Sequence, residues 1–594
     1  MEKLKELRSR MKAQNLDAYI VTGADAHGSG YVTDYWKTRA WLTGFTGSNG
    51  IAVITITPDE AGLWTDGRYF LQAEKELAGS GFTLYKMGEP DVPTYQVFLK
   101  DKLPKGGRIG FDGRTLPVQS FDTLKKQLKE KEASFTYTVD LVGEMWVDRP
   151  TPPVNPAFAH EIQFTGLTAQ KKLALVREQM KEKELGGYIL TALDDIAWLL
   201  NIRGSDVAFT PVVYAYAFIT ANVAHVFIEP EKIKGIELPG FTVSPYTQFN
   251  KFLRELKPTD INNGKLYYNP NKANVLIGKS IPESIGIKRD ATADIVPLLK
   301  AKKSEVELTN IRNAYIKEGT CWVRLFMWLE AQLAAPGDLL LHESDIAQKL
   351  TELRGKQPHY IGDSFSTIAA YGPNAASAHY NPGPKGAEIK QEGFLLIDSG
   401  GQYLDGTTDT TRTIPVGELT DEMRRDFTLV LKGHIALTAA VFPTGTTGSQ
   451  LDVLARLALW KDGKNFRHGT GHGIGYVLSV HEGPHSIADR FNAIALAPGM
   501  LASNEPGMYK DNHYGIRTEN IICVKALQKT EYGQFLGFES LTFCPINTKA
   551  LDVSLLNEDE RNYLNDYHKK TYEALAPNLN NEEQIWLQNA TREI

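Results

Sequence analysis

Residues 394–413 read FLLIDSGGQYLDGTTDTTRT. An apolar run ends at Asp398, a glycine-rich reversal follows, and a threonine-rich run begins beside Asp409. Threonine and other β-branched residues favour strands, so the stretch predicts a β-hairpin with an aspartate on each arm. With the reversal centred beside Tyr403 and Leu404, the two carboxylates are expected roughly opposite each other. The same arrangement returns in residues 501–524, LASNEPGMYKDNHYGIRTENIICV, where Glu505 and Glu519 flank a polar turn centred on Asn512. Between the two stretches lies RHGTGHGIG, residues 467–475, in which His472 is surrounded by glycines that let the backbone approach closely while one imidazole projects inward.

Four carboxylates brought together without a cation repel one another and resist ionisation, so such a cluster is expected to hold metal. Asp398, Asp409, His472, Glu505 and Glu519 form the candidate ligand set. Mixed carboxylate and imidazole donors suit manganese, zinc, cobalt or iron, and two such ions could share a hydroxide nucleophile. Each element alone is ordinary: a lone DSG or EPG is common turn sequence, and a single loop histidine is more often structural. The glycine spacing around His472 fits neither GxGxxG nor a P-loop. The order and spacing of all five residues point to metal-assisted hydrolysis.

Outside this region the chain carries an internal echo. LRSRMKAQNLDAYIVT from Leu7 matches VREQMKEKELGGYILT from Val176 without a gap, each passing from helical periodicity into an apolar strand. WLTGFTG from Trp41 and WLLNIRG from Trp198 repeat the relation, followed by strand-like sequence from Ile51 and Tyr214. Two α/β modules are expected, separated by the proline-rich RPTPPVNPAF from Arg149. Near Lys303 a helix is predicted to start on a Ser304/Glu307 capping box, with Leu308, Ile311 and Tyr315 on one face. The expected division is residues 1–155, 156–302 and 303–594, an α/β (α+β) protein with its chemistry in the last part.

The 594 residues are 42% hydrophobic and 23% charged, with a formal net charge of −6. That balance argues against a phosphate-backbone binder, so no nucleic-acid partner is expected. The charged, amphipathic first residues, with Leu4, Leu7 and Met11 at helical spacing, lack the apolar core of a signal peptide. No apolar run reaches membrane-spanning length, so no membrane association is expected. Cys321, Cys523 and Cys544 suggest neither a disulfide framework nor a thiolate metal site, which fits a cytoplasmic protein.

At the five candidate ligands the sequence resembles the pita-bread metallopeptidases, the family of methionine aminopeptidase, prolidase and aminopeptidase P. The resemblance extends along the whole chain to the three-domain Xaa-Pro aminopeptidases, through GADAHGSGYV from Gly23 and LWTDGRYFLQAEKEL from Leu63. It implies two creatinase-like domains before a pita-bread catalytic domain, and two metal ions, manganese before zinc or cobalt. Asp398 would hold one ion, Asp409 and Glu519 would bridge both, and His472 and Glu505 would complete the second site. Glu505 would also move a proton. His379 in AHYNP and His481 in VHEGP would have catalytic and substrate-binding roles; His468, Tyr509 and Arg517 would also bind substrate. Arg517 could in addition orient a metal carboxylate.

The implied reaction is hydrolysis of the first peptide bond of substrates with proline at position two, by a metal-bound hydroxide. The implied assembly is a homodimer. Two residues depart from the family pattern: Met508 stands where an aromatic is expected, and His485 where a smaller residue is usual. A prolidase, a methionine aminopeptidase or a non-catalytic peptide-binding relative are the alternative readings of the same fold.

Overall fold

A computed structural model describes residues 1–262, 264–291, 294–334, 340–378 and 380–594. The chain divides into two compact units, Met1–Ala159 with Leu167–Val296, and His160–Gly166 with Pro297–Ile594.

The first unit contains the same sheet twice. In one, the strand Ala18–Thr22 pairs antiparallel with Ile51–Thr55 and parallel with Arg108–Phe111. In the other, Leu185–Leu190 pairs antiparallel with Ala215–Thr220 and parallel with Lys265–Tyr267. Each sheet has six strands, and their order along the two sheets corresponds. The echoed sequences are the helices and strands that begin each copy: Glu2–Ala13 precedes Ala18–Thr22, and Ala169–Glu182 precedes Leu185–Leu190. Leu4, Leu7 and Met11 are buried from the first helix, Leu173, Val176 and Met180 from the second. Each such side chain contributes roughly 2 kcal/mol by leaving water, which explains why the pattern is kept in both copies. Residues 149–157 form no helix or strand, as their prolines require.

In the second unit the helix Glu305–Ala334 starts where its capping box predicts. Ser304 N donates to Glu307 Oε2 at 2.8 Å, and Glu307 N donates back to Ser304 Oγ at 3.3 Å. Its buried face includes Leu308, Ile311 and Tyr315. Two sheets follow. A three-stranded sheet joins Ile368–Tyr371, Phe394–Ser399 and Thr410–Pro415; a four-stranded sheet joins Phe442–Pro443, Gly533–Ser540, Asn520–Thr530 and Leu501–Asn504.

Both predicted hairpins form, with one correction of register. Asp398 lies opposite Thr411 and Ser399 opposite Thr410, so the reversal is centred between Leu404 and Asp405 rather than beside Tyr403. A tight turn with Tyr403 paired to Gly406 sets this axis. Asp409 is therefore two residues out of register with Asp398. Because strand side chains alternate with period two, the offset leaves both on one face. The second hairpin has the expected axis: Asn504 pairs with Asn520 and Gly507 with Arg517, about Asn512, whose φ is +61°. The chain ends in two helices, Glu558–Leu575 and Asn581–Ala590. All three cysteines are buried and free.

Candidate metal centre

Each candidate ligand stands at the end of a strand, where the backbone is fixed on one side and the side chain opens into a common space. Asp398 is next to last in Phe394–Ser399, Asp409 immediately precedes Thr410–Pro415, Glu505 follows Leu501–Asn504, and Glu519 precedes Asn520–Thr530. His472 lies in a two-residue strand, Gly471–His472, paired with Ser486–Ile487. The glycines around it are sterically required. A Cβ on Gly471 would sit 1.9 Å from the Ser503 carbonyl oxygen, and one on Gly473 2.0 Å from that of Glu482.

Ligand atoms of Asp409, His472 and Glu519 all lie within 4.8 Å of one another. His472 Nε2 stands 3.6 Å from Asp409 Oδ2 and 3.4 Å from Glu505 Oε1. Its Nδ1 donates to the Gly473 carbonyl at 3.0 Å, which fixes the tautomer and leaves the Nε2 lone pair facing carboxylate oxygens. Burial holds the His472 pKa below the usual range, so a proton is not the natural occupant of that gap. Asp398 Oδ1 and Glu519 Oε1 are buried and have no hydrogen-bond partner among the described residues. Orphaned acceptors, a lone pair aimed at carboxylates and four acids in one pocket form a donor set completed by cations.

The acids show the same strain electrostatically. Burial, followed by repulsion from Glu519 and Asp398, holds Asp409 well above the usual carboxylate range. Burial, with repulsion from Glu505 and Asp398, pushes Glu519 up to about 8. Glu505 is also pushed up to about 8 by burial, against the opposing pull of Arg517.

A ring of hydrogen bonds orients the set. Arg517 is buried, donates from Nη2 to Asp398 Oδ2 at 2.5 Å and from Nη1 to the Tyr509 hydroxyl at 2.7 Å. Tyr509 in turn lies 2.8 Å from His468 Nε2. His468, Tyr509 and Arg517 thus form one chain leading to Asp398. His481 is exposed, its ring 4.3 Å from that of His472, at the open side of the pocket. His379 lies outside the described residues.

Three partners escaped the sequence reading. Thr411 Oγ1 donates to Glu519 Oε2 at 2.6 Å, Ser503 Oγ donates to Glu505 Oε1 at 3.0 Å, and the Tyr315 hydroxyl accepts from Asp409 N at 3.2 Å. Thr411 and Ser503 sit two positions from a ligand, on the same strand face, a signal that was available. Tyr315 reaches the site from a distant helix and had none. Of the two departures from the family pattern, Met508 is buried in an apolar cluster. His485 is buried with Nε2 2.6 Å from the Leu501 carbonyl, and burial lowers its pKa to about 4. Both are structural.

Residues 309–526 match the model of metallopeptidase family M24, and residues 534–594 that of the C-terminal region of peptidase M24. Residues 3–142 and 148–307 match two creatinase/prolidase N-terminal domain models. A probable Xaa-Pro aminopeptidase P of Laccaria bicolor is 42% identical over 97% of this chain and 91% of its own length. The chain belongs to the Xaa-Pro aminopeptidase P family of M24 metallopeptidases. Aminopeptidase P2 of Arabidopsis thaliana is 38% identical over all of this chain and 88% of its own. The crystal structure of X-prolyl aminopeptidase from Caenorhabditis elegans, described as a cytosolic enzyme with a di-nuclear active site, superposes with a TM-score of 0.94 at 37% identity, covering 100% of this chain and 99% of that one. This family member is therefore a metal-dependent peptidase with two creatinase-like domains and a pita-bread catalytic domain.

Proposed function

We propose that the protein removes the N-terminal residue from peptides with proline at position two, using a dinuclear centre held by Asp398, Asp409, His472, Glu505 and Glu519. The observation that carries this reading is the convergence of four carboxylates on a neutral imidazole, with buried acceptor oxygens left unpaired. When bound, two divalent ions supply Lewis-acid charge and an acidified water. Asp409, His472 and Glu519, whose ligand atoms lie within 4.8 Å of one another, would hold the ions together with Asp398 and Glu505. Manganese is the proposed metal, because an oxygen-rich set with a single imidazole suits it.

The remaining roles belong to the chain. Arg517 fixes the rotamer of Asp398 by its charged hydrogen bond. Ser503 holds Glu505, the proposed proton carrier, beside His472. His481, whose ring lies 4.3 Å from that of His472, is the proposed donor to a substrate carbonyl and part of the proposed proline pocket; His379, proposed for the same role, lies outside the described residues. Proline has a fixed φ and no N–H, so a rigid pocket can select it where a backbone-gripping site cannot. His468 and Tyr509 complete the polar wall.

The three-part division at residues 1–155, 156–302 and 303–594, a homodimeric assembly and a cytoplasmic location are part of the same proposal. For the location, support comes from the description of the Caenorhabditis elegans enzyme as cytosolic. Side-by-side digestion of Arg-Pro-Pro, Arg-Ala-Ala and Arg-Pro tests the activity. Release of arginine from the first alone supports it; cleavage of Arg-Pro alone would make the enzyme a dipeptidase.

A further inference from the structure

The four carboxylate ligands are split between two sheets. The sheet of Phe394–Ser399 and Thr410–Pro415 carries Asp398 and Asp409; the sheet of Leu501–Asn504 and Asn520–Thr530 carries Glu505 and Glu519. A dinuclear centre needs all four held at fixed separation, yet among the described residues no strand ladder joins these two sheets. They are joined at Glu519, whose backbone is gripped at both ends. Its N–H donates to the Thr411 carbonyl at 3.1 Å, and its own carbonyl accepts from Arg412 Nη1 at 2.6 Å.

Arg412 is the centre of this joint. It is 1% exposed, and its guanidinium donates to the Thr411 carbonyl on one sheet and to the Glu519 carbonyl and Asn520 Oδ1 on the other, at 2.6–2.8 Å. At the outer edge of the fork Nη2 also donates to the Cys544 carbonyl at 2.7 Å and to the Tyr567 hydroxyl at 2.9 Å, and that hydroxyl donates to the same Cys544 carbonyl at 2.8 Å. Tyr567 belongs to the helix Glu558–Leu575, and its neighbour His568 pins that helix by accepting from Ile546 N at 3.2 Å. A buried guanidinium has one low-energy orientation only when all its donors are matched. Removing the phenol takes away one of three acceptors around Nη2 together with the hydroxyl that holds the Cys544 carbonyl, and so loosens the acceptor cluster that fixes the fork against the Glu519 carbonyl.

We propose that the C-terminal helix Glu558–Leu575 is a positioning element of the metal centre, acting through Tyr567 and Arg412 to hold the two ligand-bearing sheets in register at Glu519. This rests on the metal-centre reading above. Tyr567 and Arg412 are positioning residues, since neither reaches a ligand carboxylate.

The test is manganese titration of the metal-free full-length protein by calorimetry, for the wild type, Tyr567→Phe, Arg412→Lys and, as a control on the same helix, Tyr572→Phe. Expected is a roughly tenfold loss of affinity for at least one ion in Tyr567→Phe, the low end for partners outside the ligand set, and a larger loss in Arg412→Lys. Excess manganese should restore kcat on Arg-Pro-Pro in Tyr567→Phe with KM unchanged, and Tyr572→Phe should titrate as wild type. Wild-type affinity for both ions in Tyr567→Phe would overturn the proposal, even with a lowered melting temperature, because the phenol would then serve only packing. A wild-type protein that binds no manganese would instead overturn the metal-centre reading on which it rests.

Discussion

Replacing Glu519 by glutamine should destroy metal binding and, in metal-free protein, increase stability. Glu519 is 1% exposed, and in the absence of cations its carboxyl keeps its proton up to about pH 8, against an ordinary value of 4.5. A group whose pKa is raised by folding favours the folded state below its unfolded pKa, and that contribution is lost as pH rises through the folded value. The relevant window is therefore 4.5 to about 8. At pH 7 the folded chain must retain a proton that the unfolded chain would release, which costs about 3 kcal/mol at ~1.4 kcal/mol per pH interval; at pH 5 the same term is under ~1 kcal/mol. Glutamine needs no proton and can still accept from Thr411 Oγ1. Urea unfolding in EDTA should then show Glu519→Gln more stable than wild type by up to ~3 kcal/mol at pH 7 and nearly equal to it at pH 5. Added manganese should stabilise the wild type by mass action and leave the variant unmoved. A variant no more stable than wild type at pH 7, or one equally stabilised at both pH values, would refute the electrostatic account of the site.

Asp409→Ala removes the proposed shared ligand and should lower turnover of Arg-Pro-Pro at least ~10³-fold, with far-ultraviolet circular dichroism unchanged. Glu505→Gln should give a folded protein with very low turnover, measured in the same assay. Arg517→Lys keeps the charge but loses the fork that spans Asp398 and Tyr509, so manganese affinity should fall about 10–100-fold by calorimetry. His481→Ala should lower kcat/KM on Arg-Pro-Pro by roughly 10²-fold while the metal content by mass spectrometry stays that of wild type.

The parts of this fold that were legible in sequence are those fixed by local periodicity. The echo between residues 7–22 and 176–191 reported a repeated helix and strand because both copies bury the same helical face. The Glu505/Glu519 pairing followed from a polar turn whose centre, Asn512, takes up a positive φ. The Asp398/Asp409 register was misplaced because two reversals compete there: the glycine pair Gly400–Gly401 and the turn at Leu404–Asp405, which wins by pairing Tyr403 with Gly406. What stayed hidden depends on tertiary contact. Nothing local distinguishes Tyr315 as the partner of the Asp409 amide from an ordinary core tyrosine, and nothing in the helix Glu558–Leu575 marks Tyr567 as a partner of Arg412.

The central claim is that two metal ions held by these five residues drive proline-selective exopeptidase chemistry. Stepwise addition of manganese to metal-free protein, with arginine release from Arg-Pro-Pro followed by mass spectrometry, tests it most directly. The account predicts no release without metal and a rate that saturates at two equivalents, with Arg-Ala-Ala left intact throughout. Arginine release at full rate in the metal-free protein, or none at two equivalents and beyond, would contradict it.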